Sequence, residues 1–261
     1  MTNQTGIDFL VVGSGRGGTS LLAGLLDAHP GLEVGFEHRS VATLMGHDVR
    51  EPGPDMFDAR VAAFVAACRS EAARYPGRLW GNKITTEQIL GLEDRNLEHP
   101  DVPPIDVLDR FFNEALDGVP VVFLLRDGRT CVRSKVRRTG QSVAQACERW
   151  KYSVEVWRFF RDRHLRNLTI RFEDLVHEPR GTMETVCDFL DISWCEEMLT
   201  GTRSAKMLPE YRRDYVDEEP AELVDVPREV EETLGGELAE CGYLPDVVVS
   251  PRVEPGAGLA P

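Results

Sequence analysis

The chain has 261 residues, 42% of them apolar and 28% charged, and carries a formal net charge of −14. These proportions are those of a soluble globular protein long enough to bury a large core. The acidic balance argues against nucleic acid as the main partner and against long anionic polymers as substrates, and no apolar run approaches the roughly twenty residues of a membrane span.

In chain order the first predicted element is a strand at 7–13, built on Phe9-Leu10-Val11-Val12. A glycine turn, Gly13-Ser14-Gly15-Arg16-Gly17-Gly18, leads into a helix at 18–28 with Leu21, Leu22, Leu25 and Leu26 on one face. A short extended piece, Leu32 to Phe36, follows, then a helix near 55–74 carrying Val61, Phe64, Val65, Cys68 and Ala72. Arg78 to Lys83 reads as a strand, 104–117 as a helix, and Val119 to Leu125 as the strongest buried strand after the first. The helix at about 141–163 shows a stripe of Val143, Cys147, Trp150, Val154, Trp157 and Phe160, for which core packing is the expected role of both tryptophans. A strand at Leu168 to Phe172, a helix at Thr182 to Leu190, a long loop at 207–228 and a last helix at 228–241 complete the order. Strands separated by helices predict an α/β fold with a mostly parallel central sheet flanked by helices on both faces. Residues 1–246 form one expected domain, and 247–261, rich in Pro, Gly and small residues, a disordered tail.

The turn at 13–18 is a phosphate cradle by composition. A strand feeding a glycine turn and a helix start aims backbone amides, and the helix dipole, at an anion. Its spacing fits the P-loop frame, yet Thr19 stands where the Walker lysine belongs and Ser20 follows. Such a loop holds a phosphate without the usual charge for splitting a γ-phosphate. The same residues satisfy GxGxxG (Gly13, Gly15, Gly18), with Glu33 or Glu37 at a distance that suits a ribose contact, so a dinucleotide-binding Rossmann domain is a rival from this fragment alone. Open parallel sheets bind ligands beyond the carboxyl ends of their strands. Arg16 and Thr19, Glu37 and Arg39, Asn82 and Lys83, Arg126, and Arg171 to Asp174 fall at five such ends. Six cysteines without a CxxC pair or metal spacing read as buried reduced thiols, and the N-terminus MTNQTGIDFL shows no export signal, so the cytoplasm is the expected compartment.

Several of these segments resemble a known family. Arg16-Gly17-Gly18-Thr19-Ser20-Leu21-Leu22 resembles the RSGTT phosphosulfate loop of sulfotransferases that use 3′-phosphoadenosine 5′-phosphosulfate (PAPS). Arg126-Asp127-Gly128-Arg129 with Ser134 resembles their 3′-phosphate-binding segment, and Arg171-Phe172-Glu173-Asp174-Leu175 with Pro179 and Phe189-Leu190 resembles RYEDL…P…FL. The tyrosylprotein sulfotransferases are similar in more detail: LDAHP, then Gly35, Glu37 and Arg39, then Asn82-Lys83, FLLRDGR and Gly242-Tyr243. The resemblance covers roughly 7–195 in order, and that order outweighs the Rossmann reading. Phe172 stands in place of the tyrosine of RYEDL, Gly17 in place of the serine of RSGTT, and the SKW segment is not recognisable, although Ser204 and Lys206 lie in its region.

The resemblance implies a P-loop-like three-layer sandwich and in-line transfer of a sulfuryl group from PAPS to an acceptor hydroxyl, with PAP as product and no metal. It implies that Gly15, Arg16, Gly17, Gly18, Thr19 and Ser20 hold the 5′-phosphosulfate, and that Arg126, Ser134 and Arg138 hold the 3′-phosphate. Glu37 becomes the general base, with His38 as an alternative, while Lys83 and Arg16 stabilise the transferred charge and Arg39 contacts the acceptor or orients Glu37. The acceptor itself (small molecule, sugar, lipid or peptide tyrosine) is not specified. The oligomeric state is also open, a homodimer being compatible. A kinase with a degenerate P-loop and a non-catalytic nucleotide-binding module are the alternatives to be tested against the site.

Overall fold

The computed structural model describes residues 5–49, 53–207, 209, 212 and 228–244. The expected tail at 247–261, and all of the expected loop at 207–228 except Met207, Pro209, Arg212 and Arg228, lie outside the described residues.

The first strand, β1 (Phe9–Gly13), is buried along its whole length. That burial follows from its run of apolar residues, which can be satisfied only when both faces of a sheet are covered. Alternation sorts its side chains between two layers. Phe9 and Val11 join one cluster with Leu22 and Leu25 of α1 (Thr19–Asp27), while Leu10 and Val12 join the other. The short β2 (Leu32–Phe36) is followed by α2 (Ser40–Leu44), which the sequence reading missed, and by α3 (Met56–Ala72), whose Val61, Phe64 and Cys68 face the second cluster. β3 (Leu79–Thr85) runs without a loop into α4 (Thr86–Leu90), a single 3-10 turn at Gly91–Glu93 and α5 (Asp94–Glu98).

The helix expected at 104–117 is α6 (Val107–Asp109) passing into a π-helical turn, Arg110–Ala115, which sets Phe111 and Phe112 in the core with ring centroids 4.9 Å apart. β4 (Val121–Leu125) repeats the alternation of β1: Val121, Phe123 and Leu125 face one layer, Val122 and Leu124 the other. α7 (Gly128–Thr139) comes next, then α8 (Val143–Asp162) with Trp150, Val154 and Phe160 buried. β5 (Asn167–Arg171), α9 (Phe172–His177) and α10 (Pro179–Leu190) follow. α10 starts three residues earlier than expected because Pro179 is pre-set for a first helical turn. A 3-10 segment at Glu196–Arg203 packs on α1, and α11 (Arg228–Glu240) closes the second layer.

All strand pairings are parallel, in the order β2-β3-β1-β4-β5. The result is the expected three-layer α/β sandwich. The chain leaves β1 toward one edge and later crosses to the other, so a crevice opens at the carboxyl end of β1. Gly13 is level with Thr85 on one side and Leu124 on the other, which brings the ends of β3 and β4 to the same rim.

Candidate active site

A cavity of about 350 Å³ sits at that rim. Among its described lining residues, five cations (Arg16, Lys83, Arg126, Lys135 and Arg149) face two carboxylates (Glu37 and Glu87). In a chain with a net charge of −14 this is a local reversal of sign, and it suits a polyanionic ligand.

One wall is the loop between β1 and α1. Gly17 N–H closes it on the Ser14 carbonyl at 2.7 Å, and a Cβ on Gly17 would stand 2.6 Å from that same oxygen, so a serine does not fit this turn unaltered. Gly18 has φ +95°, and a Cβ there would enter the ring of Phe172. α1 begins with no side-chain cap and no acid in its first turn, which leaves first-turn amides for another acceptor. The loop does accept an anion in this structure: Gly15 N–H donates to Glu87 Oε2 at 2.8 Å. Glu87 Oε1 pairs with Lys135 Nζ, which is almost wholly buried. A carboxylate of the chain's own thus serves as a stand-in anion, and the cradle fits a phosphate or sulfate.

The loop is fastened to β4 and α7. Arg126 Nη1 donates to the Arg16 carbonyl at 3.0 Å and its Nε to Thr130 Oγ1 at 3.0 Å. The same guanidinium lies 4.0 Å over the Phe172 ring, so the phenylalanine in the tyrosine's place serves as a cation–π platform. Arg16 Nε donates to Ser134 Oγ at 3.1 Å, and Trp150 Nε1 donates to the Arg126 carbonyl at 3.1 Å. The start of α7 is held from the far end of the chain. Arg129 bonds both the Asp127 carboxylate and the Tyr243 carbonyl, while Glu173 accepts from Asp127 N–H at 3.1 Å and from the Tyr243 hydroxyl at 3.0 Å. Burial, with the Glu173 charge beside it, pushes the Tyr243 phenol well above its ordinary range.

The second wall is the turn after β2. Glu37 has φ +58° and Arg39 φ +57°; with Arg16 at +68°, three of the four described non-glycine residues in the left-handed region are candidate site residues. Such backbone costs of order 1–3 kcal/mol each and persists where the surroundings over-determine it. Here Glu37 N–H bonds the Lys83 carbonyl at 2.7 Å, and the buried Asn82 amide takes both the N–H and the C=O of His38, each at 3.1 Å. The Glu37 side chain reaches into the cavity, where Lys83 Nζ meets Oε1 and Gln88 Nε2 donates to Oε2 at 2.6 Å.

The rim therefore assembles Gly15, Arg16, Gly18, Thr19, Ser20, Glu37, Lys83 and Arg126 around one space, with Ser134 touching Arg16 from behind. Other expected residues stand elsewhere. Arg138 is exposed near the end of α7, Arg39 is exposed and paired with Asp48 at 2.7 Å, and His38 packs edge-on against Trp80 at 5.9 Å, outside the cavity wall. Arg171 is engaged with Tyr243 and the Cys241 carbonyl instead. Lys83 lies two residues inside β3, not at its end. The sequence reading missed Glu87, Gln88, Lys135 and the role of Phe172. Thr85-x-x-Gln88, a capping box at the start of α4, was the available signal for one of them. Among the described residues no group of three or more His, Cys, Asp or Glu could hold a metal ion, and no helix is long and apolar enough to cross a membrane.

Comparison with known proteins gives the family and the fold. The model of the sulfotransferase family matches residues 8–196. The protein-tyrosine sulfotransferase A of Caenorhabditis elegans is 24% identical over 210 residues, covering 76% of this chain and 53% of that protein, so the chain spans about half the length of this curated relative. Among solved structures, the sulfotransferase domain of the Synechococcus PCC 7002 olefin synthase superposes with a TM-score of 0.60 at 20% identity, covering 90% of this chain and 94% of that one. A mouse sulfotransferase complexed with PAP superposes with a TM-score of 0.50 at 11% identity, covering 92% and 86%.

Proposed function

The chain belongs to the sulfotransferase family, and from that premise we propose that it transfers a sulfuryl group from PAPS to an acceptor hydroxyl, with 1–246 as the catalytic domain. The observation that carries the reading is the pairing of an anion-accepting loop with a carboxylate–lysine couple across one cavity. PAPS supplies the activated sulfuryl group; the remaining work falls to the chain's own side chains. The amides of 15–20, with Thr19 and Ser20, bind the 5′-phosphosulfate, and Arg16 shares its charge. Arg126 and Ser134, with Arg138 as a third contact, bind the 3′-phosphate, a group for which a planar guanidinium fork is suited.

Glu37 accepts the acceptor's proton, a contribution of about 10²–10⁴-fold. Its carboxylate is one-third exposed, so a hydroxyl can reach it. Lys83, held in β3 and almost wholly buried, presents a fixed cation at the oxygen from which sulfuryl departs. The six unpaired cysteines support a reducing, cytoplasmic compartment. The acceptor is a small alcohol or phenol, a sugar, a lipid or a peptide tyrosine.

The test is incubation with PAPS and a cell extract, followed by a mass-spectrometric search for products heavier by one sulfuryl group. Calorimetry with PAP runs in parallel. Glu37→Ala and Lys83→Ala are expected to abolish most turnover while PAP still binds. A protein that binds PAP but sulfates nothing is a binding module, and one that ignores PAP but transfers phosphate from ATP is a kinase.

A further inference from the structure

We propose that Gln88 is a positioning residue that fixes the rotamer of Glu37, a reading that rests on Glu37 being the base. Gln88 lies on the first turn of α4 and is 2% exposed. Its Oε1 accepts from Thr85 N–H at 2.9 Å and from Ser40 Oγ at 3.0 Å. Both partners are donors, so the carbonyl end of the amide is committed, and only the NH₂ end can face Glu37 Oε2. Ser40, itself fully buried, is the first residue of α2, three positions after Glu37. The clamp therefore ties together the three elements that meet at the base: the turn after β2, the end of β3 and the start of α4.

Each carboxylate oxygen of Glu37 thus has one fixed partner, Lys83 on Oε1 and Gln88 on Oε2. A carboxylate has about four acceptor sites, so lone pairs remain for an incoming hydroxyl. A neutral amide suits the second position. Another cation would bind the carboxylate too firmly for proton transfer, and an acid would compete for the same proton. Capping of α4 explains the bond from Thr85 N–H to Oε1 but does not call for the bond from Nε2. A misplacement of about 1 Å at a reacting group can lower a rate by about 10²-fold, which is the role this amide prevents.

Gln88→Glu and Gln88→Met separate the two roles between them. It keeps an oxygen for Thr85 N–H and Ser40 O–H, so the cap survives, and it removes the NH₂ donor. With the acceptor found in the screen above, kcat is expected to fall 10–100-fold, while KM for PAPS and the dissociation constant for PAP stay within twofold. In a Glu37→Gln background the same change is expected to cause no further loss. Gln88→Glu also sets a second acid against Glu37, so Gln88→Met, which removes the donor without adding charge, is measured beside it and is expected to show the same loss. A wild-type kcat in Gln88→Glu, or an equal loss in both backgrounds, overturns the proposal alone. Full turnover in Glu37→Gln, or no sulfated product from the wild type, overturns the assignment of the base and this proposal with it.

Discussion

Glu87→Gln is expected to tighten PAP binding although it breaks an ion pair. Glu87 occupies the cradle through Gly15 N–H at 2.8 Å, with Lys135 on its other oxygen. A phosphate entering the loop has two routes. If Glu87 stays, each unit of phosphate charge at about 5 Å meets a repulsion of about 3 kcal/mol at an effective dielectric of 20, partly offset by Lys135. If Glu87 leaves, a charge-assisted hydrogen bond of about 1.5–3 kcal/mol is lost first. Neutralising the side chain removes either cost and frees Lys135 for the ligand, so the dissociation constant should fall by about 10–100-fold. Without ligand the variant is less stable, because Lys135, 2% exposed, loses its counter-charge. Breaking a buried pair costs about 3–5 kcal/mol, or roughly 6–20 °C in Tm for a chain of this size. Isothermal titration with PAP, and thermal melts with and without it, measure both effects. Unchanged or weaker binding would refute the idea that the carboxylate holds the anion's place.

Other expectations concern the supports of the loop and the buried thiols. Arg126→Ala should weaken PAP binding by about 1–3 kcal/mol, seen by calorimetry, because the Arg16 carbonyl and the Phe172 ring lose the same guanidinium. Gly18→Ala should lower stability by about 1–3 kcal/mol in denaturant titrations, since φ +95° and the Phe172 ring both oppose a Cβ. Burial pushes Cys68 and Cys241 up to about 12 and Cys187 to about 11. At pH 8 their thiolate fraction is about 10⁻³ or less. A disulfide reagent should therefore label half-buried Cys195 first in the native state, and all six thiols only after unfolding. Above the ordinary value of 9.0 the unfolded chain releases thiol protons that the folded chain keeps. Stability is thus expected to fall as pH rises from about 9 toward 12, as melts at stepped pH would show.

β1 and β4 were legible because the sheet is covered on both faces, so that they must be apolar throughout, and no other described element has that pattern. Glu37, Lys83 and Arg126 were legible because a parallel sheet collects its strand ends at one rim. α7 was not, and its composition says why. Its buried face includes Lys135 alongside Gly128, Cys131 and Val132, so the apolar period that marks a helix is broken where the cavity begins. Glu87 and Gln88 escaped for a related reason. They follow β3 with no turn residues between, and their partners Gly15 and Glu37 are 72 and 51 positions away. Arg138 and Arg39 fit the spacing of the motif, but spacing does not report which side of a helix or turn is wet.

The clasp between Tyr243, Glu173 and Asp127 has a consequence for biosynthesis. The glycine bend leaves the ribosome more than two hundred residues ahead of the phenol that steadies the helix behind it. A nascent polypeptide thus displays its anion cradle long before it can tighten it, and a truncation just before Tyr243, which spares α11, should leave a chain that folds its sheet but grips nucleotide poorly.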